Sequence, residues 1–283
     1  MCEFCLQHGT KADKWYLNPR NFDLWKAWRE DPEFKRVTDA TFSLAFGEGM
    51  MGRFDFLDAC FDGLHPPAEV SKSLNDFSRE SLIVGQILPI EDAERVLEIP
   101  QQYDVKIGLT ICECRKLWGG IDEMVCMHFQ PVCDLIAEKF LPIERYNRYV
   151  DAEEAKTITR QASERGCVQW VSGTPVPYVM NICNCELPFC VPLRNHLFPQ
   201  IYGPALKSHY LGIVDRARCN GCRGKPACMS ACQFGAMRFS RHEQRVIIIP
   251  SLCYGCGVCR TRCQRDAIRL VDRECIETVK DEW

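Results

Sequence analysis

The alternation of apolar and polar positions divides the chain into a mostly helical first third, a middle of alternating helices and strands, and a repetitive C-terminus. Phe22, Trp25 and Trp28 recur at spacings of three, as on one helix face, and are expected in the core. The Gly- and Met-rich stretch 46–56 reads as a turn and flexible link. His65, Pro66 and Pro67 break the chain again before a further helix. Residues 89–99 read as a helix and 105–111 as an apolar strand ending at Cys112-x-Cys114. Residues 151–166 read as a second helix. Asp151 and Glu154 form a capping box and Gly166 stands where a C-terminal cap belongs. Strand-like runs at 167–171 and 178–182 follow, and the second ends at Cys183-x-Cys185. Two helix–strand units thus each deliver a C-x-C at a strand end. If they pack side by side, four thiolates converge.

The composition is that of an ordinary globular protein, with 46% apolar and 26% charged residues, except for 20 cysteines among 283 residues. Met1–Cys5 has neither the basic stretch nor the apolar core of a signal peptide, and no apolar run reaches the length of a membrane span. Disulfides are therefore not the expected use of these thiols. Their grouping at metal-ligand spacings suits a cytoplasmic protein of an anaerobic or microaerobic cell.

Eight cysteines form two C-terminal runs. Cys219, Cys222, Cys228 and Cys232 are spaced C-x2-C-x5-C-x3-C; Cys253, Cys256, Cys259 and Cys263 are spaced C-x2-C-x2-C-x3-C. Thiolates at such spacings hold cubane iron–sulfur clusters. A zinc ribbon would instead pair two C-x2-C knuckles. The segments 232–239 (CQFGAMRF) and 263–270 (CQRDAIRL) match in register, and each half reads as strand, cysteine loop, short helix, strand.

Over residues 205–275 the chain resembles the bacterial two-[4Fe–4S] ferredoxin family. The resemblance implies crosswise ligation. One cluster would take Cys219, Cys222, Cys228 and Cys263, and the other Cys253, Cys256, Cys259 and Cys232. Residues 223–227 make the first loop three residues longer than the family's, and Gln233 and Gln264 replace the proline that usually follows each fourth cysteine. The expected architecture is α+β: a mixed cysteine-rich domain over 1–203, then a ferredoxin-like, βαβ-duplicated module over 204–283.

Seven more cysteines lie mid-chain: Cys112, Cys114, Cys126, Cys133, Cys183, Cys185 and Cys190. A third [4Fe–4S] cluster is expected among them, with zinc as the alternative. Cys2, Cys5 and His8 form a C-x2-C-x2-H whose mixed donors suit zinc, so Cys2 and Cys5 are candidates for a further metal site. The isolated Cys60, Cys167 and Cys275 read as inert thiols, and His128 as a core or surface histidine. The motifs ICECR (111–115), CMHFQPVC (126–133), ICNC (182–185) and CEFCLQHG (2–9) resemble a little-characterised group of anaerobic ferredoxin-type proteins that place a cysteine-rich domain before a two-cluster module. Glu186 stands where that group would carry more cysteines.

Charge is uneven. Residues 204–283 hold 14 Lys and Arg against 8 Asp and Glu (+6), whereas 1–203 hold 21 against 30 (−9). The Arg excess offsets cluster charge, or it draws Arg260, Arg262, Arg265 and Arg269 to an acidic partner or to the acidic N-terminal half. No nucleic-acid motif is present. Dinucleotide-binding, P-loop, G-x-S-x-G and radical C-x3-C-x2-C signatures are also missing, and the paired Glu153 and Glu154 read as capping. The expected function is electron transfer, alone or within an oxidoreductase complex with redox partner proteins. Two alternatives stand beside it: a reductase whose N-terminal cluster is the substrate site, and an assembly subunit with N-terminal zinc.

Overall fold

A computed structural model describes residues 2–10, 14–22, 30–33, 35–36, 68–69, 72, 84–139, 147–173, 178–197 and 205–283. The expectations placed on Trp25, Trp28, Cys60, 46–56 and 65–67 lie outside the described residues. The chain is mixed α+β. Helix α1 (Glu3–His8) opens it, and single turns at Trp15–Leu17 and Pro19–Phe22 follow. The middle runs β1 (Val84–Leu88), α2 (Ile90–Glu98), β2 (Ile107–Ile111), α3 (Glu113–Gly119), β3 (Met124–Phe129), α4 (Val132–Lys139) and β4 (Asn147–Val150). It continues through α5 (Ala152–Arg165), β5 (Val168–Gly173), β6 (Val179–Cys185) and α6 (Val191–Leu197).

Helix α5 begins and ends where its local chemistry dictates. The Asp151 carboxylate accepts the Glu154 N–H at 2.8 Å, and Gly166 takes a left-handed φ of 113° as its amide closes on the Ala162 and Ser163 carbonyls. A cap of that kind contributes about 1 kcal/mol.

The six strands form one antiparallel sheet in the order β1-β5-β6-β3-β2-β4. β2 and β6, the two strands that carry the C-x-C pairs, are therefore not neighbours. β3 lies between them, antiparallel to both, so β2 and β6 run in the same direction and send both pairs to one end of the sheet. Side chains alternate across the sheet. One face presents Met127, Ile182 and Val171, which pack in one cluster with Ala93, Val96 and Leu97 of α2 and Ala152 and Ala155 of α5. The other face carries thiols. Thr110, Cys126, Cys183 and Trp170 are successive cross-strand partners, and Cys185 lies two residues beyond Cys183.

The C-terminal part comprises β7 (Tyr210–Val214), α7 (Ala227–Ser230), β8 (Met237–Ser240), β9 (Arg245–Ile248), α8 (Val258–Thr261) and β10 (Ile268–Asp272). β7 pairs with β10 and β8 with β9, both antiparallel. This part sits on the thiol face: Tyr254 and Val258 share a buried cluster with Ile87, Val168, Trp170, Cys185, Cys190 and Leu193. Arg260 forms a two-pronged ion pair with Glu91 of α2 at 2.8 Å for each bond, and Arg262 donates to the Arg165 carbonyl at the end of α5. Two of the four arginines considered for docking thus engage the acidic N-terminal half. Among the described residues no helix is long and apolar enough to cross a membrane.

Candidate metal centres

The mid-chain thiols converge at the sheet end. Cys112 caps α3 directly after β2, and Cys126 faces Cys183 across β3 and β6. Cys185 ends β6, and Cys190 immediately precedes α6. Cys114 and Cys112, Cys112 and Cys126, Cys126 and Cys183, Cys183 and Cys185, and Cys185 and Cys190 act on one another as neighbouring thiols, and the Cys190 charge reaches Cys114, so the six thiols form an open ring. Bonds from Cys114 and Cys126 pull Cys112 down to about 3. Bonds from Cys126 and Cys185 hold Cys183 well below the ordinary thiol range. The Asn181 amide adds a bond to the Cys183 sulfur at 2.9 Å. Thiols whose neighbours lower Cys112 and Cys183 in this way suit a cationic metal or cluster, because ligation requires thiolate.

Expecting β2 and β6 side by side accounts for only four of these sulfurs; the intervening β3 supplies Cys126 at the centre. The seventh candidate is not brought to the ring. Cys133, on α4, lies over Gly108, where an added Cβ would come within 2.4 Å of its own, and its sulfur is 3.6 Å from the Asp134 carboxylate.

Buried charge surrounds the ring. Arg115 of α3 donates to Glu123 (2.7 Å), the Cys167 sulfur (3.1 Å), the Asn184 carbonyl (3.3 Å) and Glu186 (3.2 Å). Glu186 therefore does not extend the thiol set. Its carboxylate anchors Arg115, and its carbonyl accepts the Cys190 N–H at 2.9 Å, which fixes the turn that delivers that thiol. Cys167, read from sequence as inert, is a partner of Arg115. Glu113 lies between two ring cysteines; burial first, then the Cys183 and Cys112 charges, push it up to about 7.

The eight C-terminal cysteines fall into two groups of four. Burial raises Cys228 to about 11, and the thiols that act on it are Cys263, Cys222 and Cys219. These four sulfurs line one apolar cavity with Val214, Val246 and Ile268. Burial raises Cys256 to about 12, with Cys253 and Cys232 acting on it; burial also raises Cys259, with Cys256, Cys253, Cys232 and then Cys228 of the first group acting on it. The longer first loop passes through left-handed backbone at Cys222, Arg223 and Gly224 and still returns Cys228 to its group. The fourth cysteines are held alike: Ala236 N–H donates to Cys232 Sγ and Ala267 N–H to Cys263 Sγ, each at 3.3 Å. The residues just before, Gly235 and Asp266, both take positive φ.

Arg273 supplies a separate indication of negative charge near the second group. Its side chain is fully buried, and among the described residues it has no carboxylate at ion-pair distance. It donates to the carbonyls of Ser208 (2.9 Å), Tyr210 (3.1 Å) and Cys253 (2.6 Å), while Nη1 has no hydrogen-bond partner. A lone buried cation costs several kcal/mol unless a counter-charge faces it. The Cys253 sulfur and the Glu282 carboxylate are the groups whose charge reaches it, and a net-negative four-thiolate cluster held by the Cys253 group would fit beside it.

Gln233, where a proline was expected, joins the two halves. Its amide donates to the Gly166 (2.7 Å) and Cys185 (3.4 Å) carbonyls and accepts the Leu187 N–H (2.8 Å). Proline could form none of these bonds.

The third place where ligands meet is at the N-terminus. Cys2, Cys5 and His209 are buried, with all three donor atoms within 4.8 Å of one another. The sequence reading paired Cys2 and Cys5 with His8, but the His8 ring packs against Phe4 and its carbonyl accepts Asn18 and Asn21. His209 was missed because it lies 204 residues from Cys5 with no spacing signal.

No family model matches the chain, and neither does any curated protein or solved structure.

Proposed function

We propose that this chain is an iron–sulfur electron-transfer protein, or the electron-transfer subunit of an anaerobic oxidoreductase complex. Its C-terminal part is read as a ferredoxin-like, duplicated module that binds two [4Fe–4S] clusters. Cys219, Cys222, Cys228 and Cys263 would hold one, and Cys253, Cys256, Cys259 and Cys232 the other. The mid-chain ring, with Cys112, Cys126, Cys183 and Cys185 among its members, would hold a third iron–sulfur centre. When bound, such centres supply one-electron chemistry. The residues of the chain ligate them, exclude water, donate N–H···S bonds and set their electrostatic surroundings.

One observation carries this reading. Cys256 and Cys183 pack against the same buried cluster as Cys185 and Cys190, and Gln233, next to Cys232, bonds to the Cys185 carbonyl. The second four-thiol group and the six-thiol ring therefore border one buried cluster, as adjacent redox centres should. Buried Arg273 and Arg115 each stand beside thiols, which matches the charge that iron–sulfur centres bring.

The test is anaerobic metal analysis with acid-labile sulfide. The reading expects about twelve irons per chain, four for each of three cubanes. Eight irons with an empty thiol ring, or stoichiometric zinc in that ring, would overturn the third centre and favour an assembly role. A reductase is the second reading, favoured by the surplus of two ring thiols over the four a cubane needs and by the half-buried Glu113 among them. It requires that a substrate or inhibitor perturb the spectrum of that centre alone.

A further inference from the structure

The geometry points to a mononuclear zinc site formed by Cys2, Cys5 and His209 that clips the N-terminal arm onto the C-terminal module. The site is separate from the iron–sulfur reading and uses none of its thiols.

Four observations converge on it. First, His209 Nε2 lies 3.1 Å from Cys5 Sγ and 3.9 Å from Cys2 Sγ, so both sulfurs and one imidazole nitrogen face a common point. Second, both sulfurs accept backbone N–H bonds at 3.4 Å, Cys2 Sγ from Cys5 and Cys5 Sγ from Trp15. Such bonds orient thiolates and stabilise their charge, the outer-shell support a metal site needs. Third, all three residues are buried, and aromatic rings enclose them: Trp283 lies 4.9 Å and Tyr16 6.1 Å from the His209 ring, and Trp15 packs on Phe4. Three buried polar groups with no use for one another beyond weak S–H bonding are costly in such a shell; a bound divalent cation removes that cost. Fourth, the partners come from opposite ends of the chain. Helix α1 brings the C-x2-C, and His209 sits at the start of β7, fixed as its carbonyl accepts the Arg273 N–H at 2.8 Å.

The donor set selects the metal. Two thiolates and one imidazole are borderline-soft ligands that suit tetrahedral zinc, with water as the fourth ligand. A cubane needs four converging thiolates, so this site does not compete for iron. Zinc binding here closes a very long loop, the arrangement in which a cross-link restrains the unfolded chain most.

The experiment measures zinc and iron together on the full-length protein, purified anaerobically and incubated with stoichiometric zinc. The expected result is about one zinc per chain that survives dialysis. His209→Gln and Cys5→Ser should retain at least about tenfold less zinc, with iron unchanged, whereas His8→Ala should retain it in full. Chelation should expose the arm before residue 22 to protease while the iron–sulfur absorption persists. A cobalt(II)-loaded wild-type protein provides a measurement that needs no variant, because a sulfur-to-cobalt charge-transfer band with tetrahedral ligand-field bands is expected. Wild-type protein that binds neither zinc nor cobalt, or His209→Gln protein that keeps its zinc, would overturn the assignment. Because iron is read in the same sample, loss of zinc cannot be mistaken for failure of the iron–sulfur reading.

Discussion

Replacing Arg273 by methionine probes the charge at the second four-thiol group. The guanidinium is fully buried and donates to three carbonyls, one of them that of Cys253. A positive charge about 8 Å from a cluster, at an effective dielectric constant of about 20, interacts by about 2 kcal/mol per electron added. Methionine removes that attraction, so accepting an electron becomes harder and the potential falls. At about 59 mV per tenfold for one electron, 2 kcal/mol corresponds to a drop of roughly 90 mV. Three buried carbonyls also lose a charged donor, which should destabilise the fold by about 3–5 kcal/mol. Arg273→Lys keeps the charge without the fork. It should lose part of that stability while its potential moves by less than about 30 mV. The assay is a potentiometric titration followed by electron paramagnetic resonance, with a urea melt on the same samples. An Arg273→Met protein with full iron and a shift under about 20 mV would refute the argument that Arg273 answers cluster charge.

Other outcomes follow from the same geometry. Gln233→Ala removes three hydrogen bonds between the halves and should cost about 1–3 kcal/mol in a urea melt, with slower electron exchange between the second C-terminal group and the ring in stopped-flow reduction. Gly255→Ala should lower iron content by about one cluster, because an added Cβ would lie 2.0 Å from the Tyr210 carbonyl oxygen at a φ of 68°. Gly224→Ala, at a φ of 78° but with nothing within 4 Å, should keep its iron and lose only about 1 kcal/mol. Cys133→Ala should retain all iron, as its thiol stands outside the ring, and iron loss matching that of Cys126→Ser would contradict the grouping.

The sequence made those parts legible whose determinants are local. The boundaries of α5 follow from Asp151 and Gly166, whose cap bonds are both present, whereas the Glu154 carboxylate expected to complete a capping box pairs with Arg148 instead. The apolar run after α2 forms β2, and the strand-like run before Cys183-x-Cys185 forms β6, which takes in the pair itself. What was hidden depends on long-range pairing. Nothing in the spacing says that β3 enters between β2 and β6, yet that insertion centres Cys126 in the ring, while Cys133, seven residues on, is carried off by α4. Gln233 read only as a missing proline, because its bonding partners lie 46 to 67 residues away. Nothing in the sequence marks Arg115 or Arg273 as buried: the carboxylates that meet Arg115 lie 8 and 71 residues away, and the partners of Arg273 are backbone carbonyls.

The six-thiol ring is proposed as a third redox centre bordering the second C-terminal group. The most direct test is electron paramagnetic resonance of the fully reduced protein, wild type beside Cys126→Ser. Three reduced clusters are expected in the wild type, with broadening from coupling between neighbours, and a simpler two-cluster spectrum in the variant. Identical two-cluster spectra from both proteins would contradict the proposal.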